Sequence, residues 1–419
     1  MTQKKGDLNQ QFKQIWIRFN SNVGALWIFS HEIAGLAGEW DKELVHKMAG
    51  EVAALFGDDV AEVEKDVSKF IPSADVLEVE PNYREDASVR EIIDAFESGE
   101  FKQRVLSWVR DNPRKGSRLL DVMNSVFEQP PANGIILRRS ALVSLVGFLE
   151  LLVQDLFTVY YFSTDTADVG SSVKEAMRGG WETRLKFFKT LGVDVGLFGG
   201  TLDEIVEHAQ RRNLIVHKDG VIDRGYLDNV SPSFVQAKGF VAGQRLLVPT
   251  TYLERALEQV HFIGAALHQL CWRNWCSGPH KQADATYESL VFSALRHERF
   301  QLVIELDRFA DHLGLSKEHR LVSTVNHAIA LRELGEANEM QKLIVLLKRS
   351  RPTWKIKLAI SVLCEDDANT RLLLKRAGEQ NKLYNIYKDW PLFKPLWGQP
   401  WFENAFGMVR NTPRHKRRQ

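Results

Sequence analysis

From Leu137 to Phe162 apolar residues recur with a helical period, directly after Pro130-Pro131-Ala132-Asn133-Gly134, a run that interrupts regular structure. The most apolar part, Ala141 to Leu149, is preceded by Arg138-Arg139 and continues into Glu150 and Asp155. Charges interrupt it well short of the roughly 20 apolar residues that span a bilayer, so it is expected to be a helix buried in protein. Such a helix needs neighbours to cover it. Helical stretches follow at Ser172 to Leu191, Thr201 to His217, and from Thr250 or Thr251 to Trp275. Together they predict an all-α bundle of about four helices. Between the last two lie Val221-Ile222 and Leu246-Leu247-Val248, among Gly220, Gly239 and Gly243, expected as short strands or an extended flap.

The flanking regions read differently. Trp16, Phe19, Val23 and Leu26 share one face of a first helix; a second is expected from Lys42 to Phe56 and another from Val89 to Val109, with a connector at Ile71 to Asp86. Residues 1–130 are therefore a helical region in which no site is recognisable. From Ala283 onward the pattern changes to short helix pairs. Leu331-Arg332, with Leu295-Arg296 before it and Leu363-Cys364 after it, gives offsets that bracket the period of about 34 residues of tetratricopeptide repeats. Such units stack on one another, and Trp390-Pro391-Leu392-Phe393 through Trp401-Phe402 is expected to close the stack as a cap. The domains expected are thus 1–130, a bundle at 135–278, repeats at 283–410 and a basic tail at 411–419, whose Arg414-His415-Lys416-Arg417-Arg418 reads as a solvated end.

With 55 basic against 54 acidic residues, the net charge of +1 excludes a globally basic nucleic-acid coat, leaving only local patches for such a partner. Cys271, Cys276 and Cys364 are an odd set without metal-ligand spacing, which suggests a reducing compartment and thiols that fill cores. Met1-Thr-Gln-Lys-Lys-Gly-Asp7 is not followed by the apolar stretch of a signal peptide, so a cytoplasmic location is expected.

The stretch Arg211-Arg212-Asn213-Leu-Ile-Val-His217 concentrates a cation, an amide and an imidazole on one helix. Thr201 is expected as its N-cap, with Glu204 as capping-box partner, and Leu202, Ile205, Val206, Ala209 and Val216 form an apolar arc of roughly 100°. Arg212 falls at one edge of that arc, Asn213 within it and His217 just past the other edge. Desolvating a guanidinium there requires a partner, either an internal carboxylate such as Glu150 or a ligand phosphate. Arg211 is expected to form a solvated pair with Glu207, four residues before it. A metal site from His208, His217, Glu204 and Glu207 is disfavoured because they lie on different faces, and Gly196 to Gly200 lacks the Lys-Ser/Thr of a phosphate-binding loop.

Arg212-Asn213-x3-His217, the helix over Arg138 to Asp155 with its acid Glu150, the turn Lys218-Asp219-Gly220 and the closing helix Leu253 to Leu270 together resemble the HEPN superfamily. Its members are all-α bundles, many of them metal-independent ribonucleases that act in toxin–antitoxin or abortive-infection defence. The resemblance covers residues 135–278. It implies RNA as substrate, no cofactor and no metal, with attack by the 2′-hydroxyl giving a 2′,3′-cyclic phosphate. His217 would shuttle protons, since imidazole titrates near pH ~6.5, and Arg212 would clamp the phosphate. Asn213 would orient His217, and Glu150 would position Arg212 or contact the 2′-hydroxyl. One imidazole does not easily act as both acid and base, so a homodimer is implied, with Leu214 and Ile215 expected at its interface and a regulator bound by the repeats. Two alternatives stay open: a non-catalytic scaffold in which Arg212 and His217 are structural, and a toxin silenced by nucleotidyl transfer to Tyr226.

Overall fold

The computed structural model describes residues 8–31, 132–163, 169–379 and 390–410. Within them the chain is all-α, with no strand and one isolated antiparallel bridge between Val221 and Arg245. The helices expected at Lys42 to Phe56 and Val89 to Val109, the connector at Ile71 to Asp86, and the basic tail lie outside the described residues. Two compact units are present, one of residues 17–191 and 195–261, the other of 1–16, 192–194 and 262–419. The dividing lines fall inside helix α1 (residues 8–31) and inside the long helix Thr250–Trp275.

In the first unit, α2 (Ala132–Ser163) is longer than the apolar stretch within it. Residues 136–163 are long and apolar enough to cross a membrane, with mean hydropathy 1.8 in a window that is half buried. Leu142, Leu145, Leu149, Leu152 and Leu156, three or four apart, with Phe157 beside the last, are buried and form its inward face. The helix expected over Ser172 to Leu191 is two, α3 (Val169–Arg178) and α4 (Trp181–Thr190), broken at Gly179-Gly180. The break needs glycine, because a Cβ at position 179 would stand 2.6 Å from Thr183 Cβ. On α4, Phe188 and Phe187 close against Phe157 of α2 at 4.7 and 4.9 Å between ring centroids.

Helix α5 (Thr201–Lys218) packs on α2. Its N-cap is Gly200 without any side-chain hydrogen bond, so the capping box does not form; Glu204 instead pairs with Arg255. At the other end Asp219 takes a left-handed conformation (φ 53°) and Gly220 N donates to Leu214 O at 3.0 Å, which ends the helix sharply. The following segment pairs back on itself. Leu246 N donates to Gly220 O and Ile222 N to Gln244 O, each at 2.8 Å. Between these strand-like ends sit α6 (Arg224–Asn229), capped by Asp223, and α7 (Pro232–Lys238), neither of which the sequence suggested. Gly220 combines φ +79° with the Leu246 carbonyl 2.9 Å from where a Cβ would stand. Gly220→Ala is expected to cost about 2 kcal/mol, read from the midpoint of urea unfolding.

In the second unit, α8 (Thr250–Trp275) contributes its last turns, followed by three helical hairpins: α9 (Lys281–Arg296) with α10 (Phe300–Phe309), α11 (Lys317–Glu333) with α12 (Ala337–Arg349), and α13 (Trp354–Leu363) with α14 (Asp367–Glu379). Their turns are equivalent. Glu298, Gly335 and Glu365 all have positive φ, and the next residue in each case, Arg299, Glu336 or Asp366, donates its N–H 2.9 Å to the carbonyl five residues back. Beyond α14, Leu392, Phe393, Leu396 and Phe402 are buried in a 3-10 turn and α15 (Pro400–Arg410). Arg332 donates to the carbonyls of Pro391 and Leu392, fixing that aromatic segment. Cys271 and Cys276 are buried fillers, whereas Cys364, at the end of α13, is exposed.

Candidate functional site

Arg212, on α5, donates from Nη2 to Glu150 Oε2 of α2. The other oxygen of the same carboxylate accepts from Arg184 Nη1 of α4 at 3.0 Å. Arg184 is placed there by the break at Gly179-Gly180, which starts α4 at Trp181 and puts both residues on its inner side. Its guanidinium lies 5.4 Å from the Trp181 ring centroid, and Nη2 reaches Met177 O at 3.4 Å. One carboxylate thus stands between two guanidiniums, with side-chain exposures of 29% for Glu150, 12% for Arg184 and 21% for Arg212. Arg212 Nε, Arg184 Nε and Trp181 Nε1 are buried without a hydrogen-bond partner among the described residues.

His217, in the last turn of α5, is exposed and makes no hydrogen bond or ion pair with the described residues; Asn213 is half-buried and does not bond to it. Five residues of helix turn the direction by about 140° and advance it by about 7.5 Å, so within one protomer Arg212 and His217 project to different sides. The structure therefore joins Glu150 with Arg212 and leaves His217 and Asn213 apart from them. Beyond His217, Asp219 accepts from Arg139 at 2.7 Å and from Arg245 at 2.5 Å, and these contacts, Arg139 foremost, hold its carboxyl below the usual range.

Three expectations about α5 are overturned. The Glu207 and Arg211 pair is not solvated: Glu207 is 0% and Arg211 1% exposed. Arg211 Nε donates to Glu207 Oε1 at 2.6 Å and Nη1 to Leu247 O at 2.6 Å, with the guanidinium 3.9 Å from the Tyr252 ring centroid. Val216, placed on the core arc, is 52% exposed, while Leu214, expected at an interface, packs in a cluster with Ile222, Tyr226, Val230, Phe240 and Leu246. The physical reason is the returning segment 221–249, which covers the Glu207, Arg211 and Leu214 side of the helix. Tyr226 is not an accessible acceptor for nucleotidyl transfer either. It is 2% exposed and its hydroxyl donates to Glu207 Oε1 at 2.8 Å; burial, then the Glu207 charge, push its ionisation far upward.

Tyr252 donates to Glu207 Oε2 at 2.7 Å, so that carboxylate accepts from Arg211, Tyr226 and Tyr252 together. His208 Nδ1 hydrogen-bonds the Tyr252 hydroxyl at 2.5 Å, and its Nε2 donates to Gln259 Oε1 at 2.8 Å. His208 is thereby a core residue. Among the described residues no group of three His, Cys, Asp or Glu side chains is arranged to hold a metal. Sequence reasoning missed Arg184 and Trp181. The signal was an arginine within the apolar spacing Trp181, Arg184, Leu185, Phe188. Compared with known protein families, characterised proteins and solved structures, the chain gives no significant match.

Proposed function

We propose that the chain is a metal-independent endoribonuclease of the HEPN type, working through Arg212 and His217, with a role in antiviral defence. The observation that carries this reading is the division of labour along α5. Arg212 is held at the bundle surface by an internal carboxylate, while His217 stands open to solvent with no hydrogen-bond or ion-pair partner among the described residues. A histidine that stabilised the fold would be bonded, as His208 is.

In the reaction, the 2′-oxygen attacks phosphorus while the bond to the 5′-oxygen breaks. One imidazole takes the 2′ proton and another delivers a proton to the departing 5′-oxygen. Arg212 neutralises the charge that builds on the non-bridging oxygens. Because Arg212 and His217 of one protomer diverge, a homodimer supplies the second set, with exposed Val216 beside His217 available for the contact. The hairpins, of tetratricopeptide character, would bind the regulator. The competing reading is a scaffold in which Arg184, Glu150 and Arg212 are simply a structural ion triad.

Incubation of the purified protein with RNA decides between them. His217→Ala and Arg212→Ala are each expected to lower cleavage about a hundredfold or more, with the wild type giving 2′,3′-cyclic phosphate ends in the presence of a chelator. Exposed His217 can be removed without loss of helix, checked by circular dichroism. Cleavage equal in wild type and His217→Ala leaves the scaffold, and a monomer by light scattering that still cleaves rules out the two-motif mechanism.

A further inference from the structure

We propose that Arg184 and Arg212 together form a two-guanidinium receptor for a phosphate group, in which Glu150 is the resident counter-anion that the phosphate displaces. The inference rests on the ribonuclease reading for the identity of its ligand, a phosphodiester of RNA, and for Arg212, but it adds Arg184 and makes Glu150 a displaceable counter-anion, neither of which that reading uses. Charge comes first. Glu150 accepts from both guanidiniums, at 3.0 Å from Arg184 and by a direct contact from Arg212, so the group carries two positive charges against one negative. Trp181 adds no charge; it supplies the surface on which the Arg184 guanidinium lies.

The donor inventory points the same way. A guanidinium has five N–H bonds in a planar fork that matches two oxygens of a phosphate. Each of these two arginines gives Glu150 a single Nη, end on, instead of the paired contact a dedicated arginine and carboxylate adopt. Among the described residues, Arg184 Nε, Arg212 Nε and Trp181 Nε1 are left buried without acceptors, an arrangement that proteins ordinarily avoid. A tetrahedral anion brings more acceptor oxygens than a carboxylate and can face both forks at once. Side-chain exposure of 12 to 29% across the three charged residues leaves the group reachable from the surface without unfolding the bundle. When a phosphate enters, Glu150 rotates away from at least one arginine, which makes it a competitor for the ligand as well as a support for the empty site.

Inorganic phosphate is the probe, titrated into the full-length protein and followed by calorimetry and by the rise in Tm. Wild type is expected to bind it; Arg184→Ala and Arg212→Ala are each expected to weaken binding at least about tenfold. Glu150→Gln, which removes the competitor, is expected to bind about tenfold more tightly than wild type. Arg245→Ala, which alters the separate Asp219 cluster, is expected to bind as wild type does. Unchanged affinity in Arg184→Ala, or loss that follows Arg245→Ala, overturns the receptor. If Glu150→Gln does not fold, the wild type against Arg184→Ala comparison still decides. His217→Ala separates this from the ribonuclease reading: it should bind phosphate normally and fail to cleave RNA. Undiminished cleavage by His217→Ala, with phosphate binding still dependent on Arg184, would sink the mechanism through His217 and leave the receptor; a dead His217→Ala with no Arg184 dependence of binding would do the reverse.

Discussion

Glu207→Ala is expected to destabilise the protein by about 3–5 kcal/mol, the range for removing one partner of a buried ion pair. Glu207 is wholly buried and its carboxylate accepts from Arg211, Tyr226 and Tyr252. Without it, Arg211, itself 1% exposed, keeps the Leu247 carbonyl and the face of Tyr252 but loses its carboxylate counter-charge, and two phenol groups lose their acceptor. Glu207→Gln keeps one carbonyl oxygen but presents an N–H₂ group towards a hydroxyl donor, and is expected to fall between wild type and alanine. Replacing both members by apolar residues of similar size, Glu207→Leu with Arg211→Met, is expected to recover much of the loss, because no charge is then left buried. Urea unfolding of the four proteins measures this; a Glu207→Ala variant within about 1 kcal/mol of wild type would show that the network is not what anchors segment 221–249.

The pair also has a defined pH response. Burial alone would raise the Glu207 carboxyl, but Arg211, together with His208 and Tyr252, outweighs it and holds the group well below the usual carboxylate range. A depressed acid contributes stability that is fully present above its unfolded pKa, near 4.5, and is lost only as pH falls below that value into strong acid. The Glu207 network therefore stays intact through the neutral and mildly acid range.

Glu207 and Arg211 stand four apart in the favourable order, and that spacing alone describes a surface pair. What buries them is tertiary: Leu247 O, Phe240 and Tyr226 all come from the stretch after α5, which turns back through Asp219, Gly220 and the Val221 to Arg245 bridge. Periodicity located the helix and named Ile205 and Ala209 as core, but the covered arc is wider than 100° and extends the other way round. The same limit applied to Arg184. Apolar spacing runs through α3 and α4 as if they were one helix, and only the break at Gly179-Gly180 sets the register that aims Arg184 at Glu150. By contrast, the contact of Arg212 with Glu150 was readable, because α2 and α5 are each long enough for apolar spacing to fix a facing side. The short helix pairs after Ala283 were legible from the spacing of Leu295-Arg296, Leu331-Arg332 and Leu363-Cys364; of the three equivalent positive-φ turns only that at Gly335 carries a glycine, while Glu298 and Glu365 take the same conformation.

His268 supplies the second large effect, on stability in acid. Its Nε2 donates to Phe12 O at 2.8 Å, which leaves Nδ1, buried and without a partner among the described residues, as the unprotonated nitrogen. Around it stand Trp16, Trp272 and Phe12, at ring-centroid distances of 5.2, 5.3 and 5.6 Å. None of these rings carries a charge in that range or an acceptor suited to an imidazolium. Burial therefore pulls its pKa from 6.5 down to about 4, against a smaller opposing effect of the Phe12 carbonyl. Between those two values the unfolded chain binds a proton that the folded one refuses, so stability present above pH 6.5 is lost as pH falls towards 4. The loss amounts to about 3 kcal/mol at 1.36 kcal/mol per unit. His268→Gln keeps a donor for the Phe12 carbonyl and cannot titrate. Its stability difference from wild type is thus expected to move by about 3 kcal/mol in its favour between pH 7 and pH 4, whatever the acidic groups common to both proteins do. Parallel stability profiles would mean that the aromatic cage opens to water before the ring is protonated. The acid sensitivity would then belong to the docking of residues 8–16 on α8 and not to the imidazole.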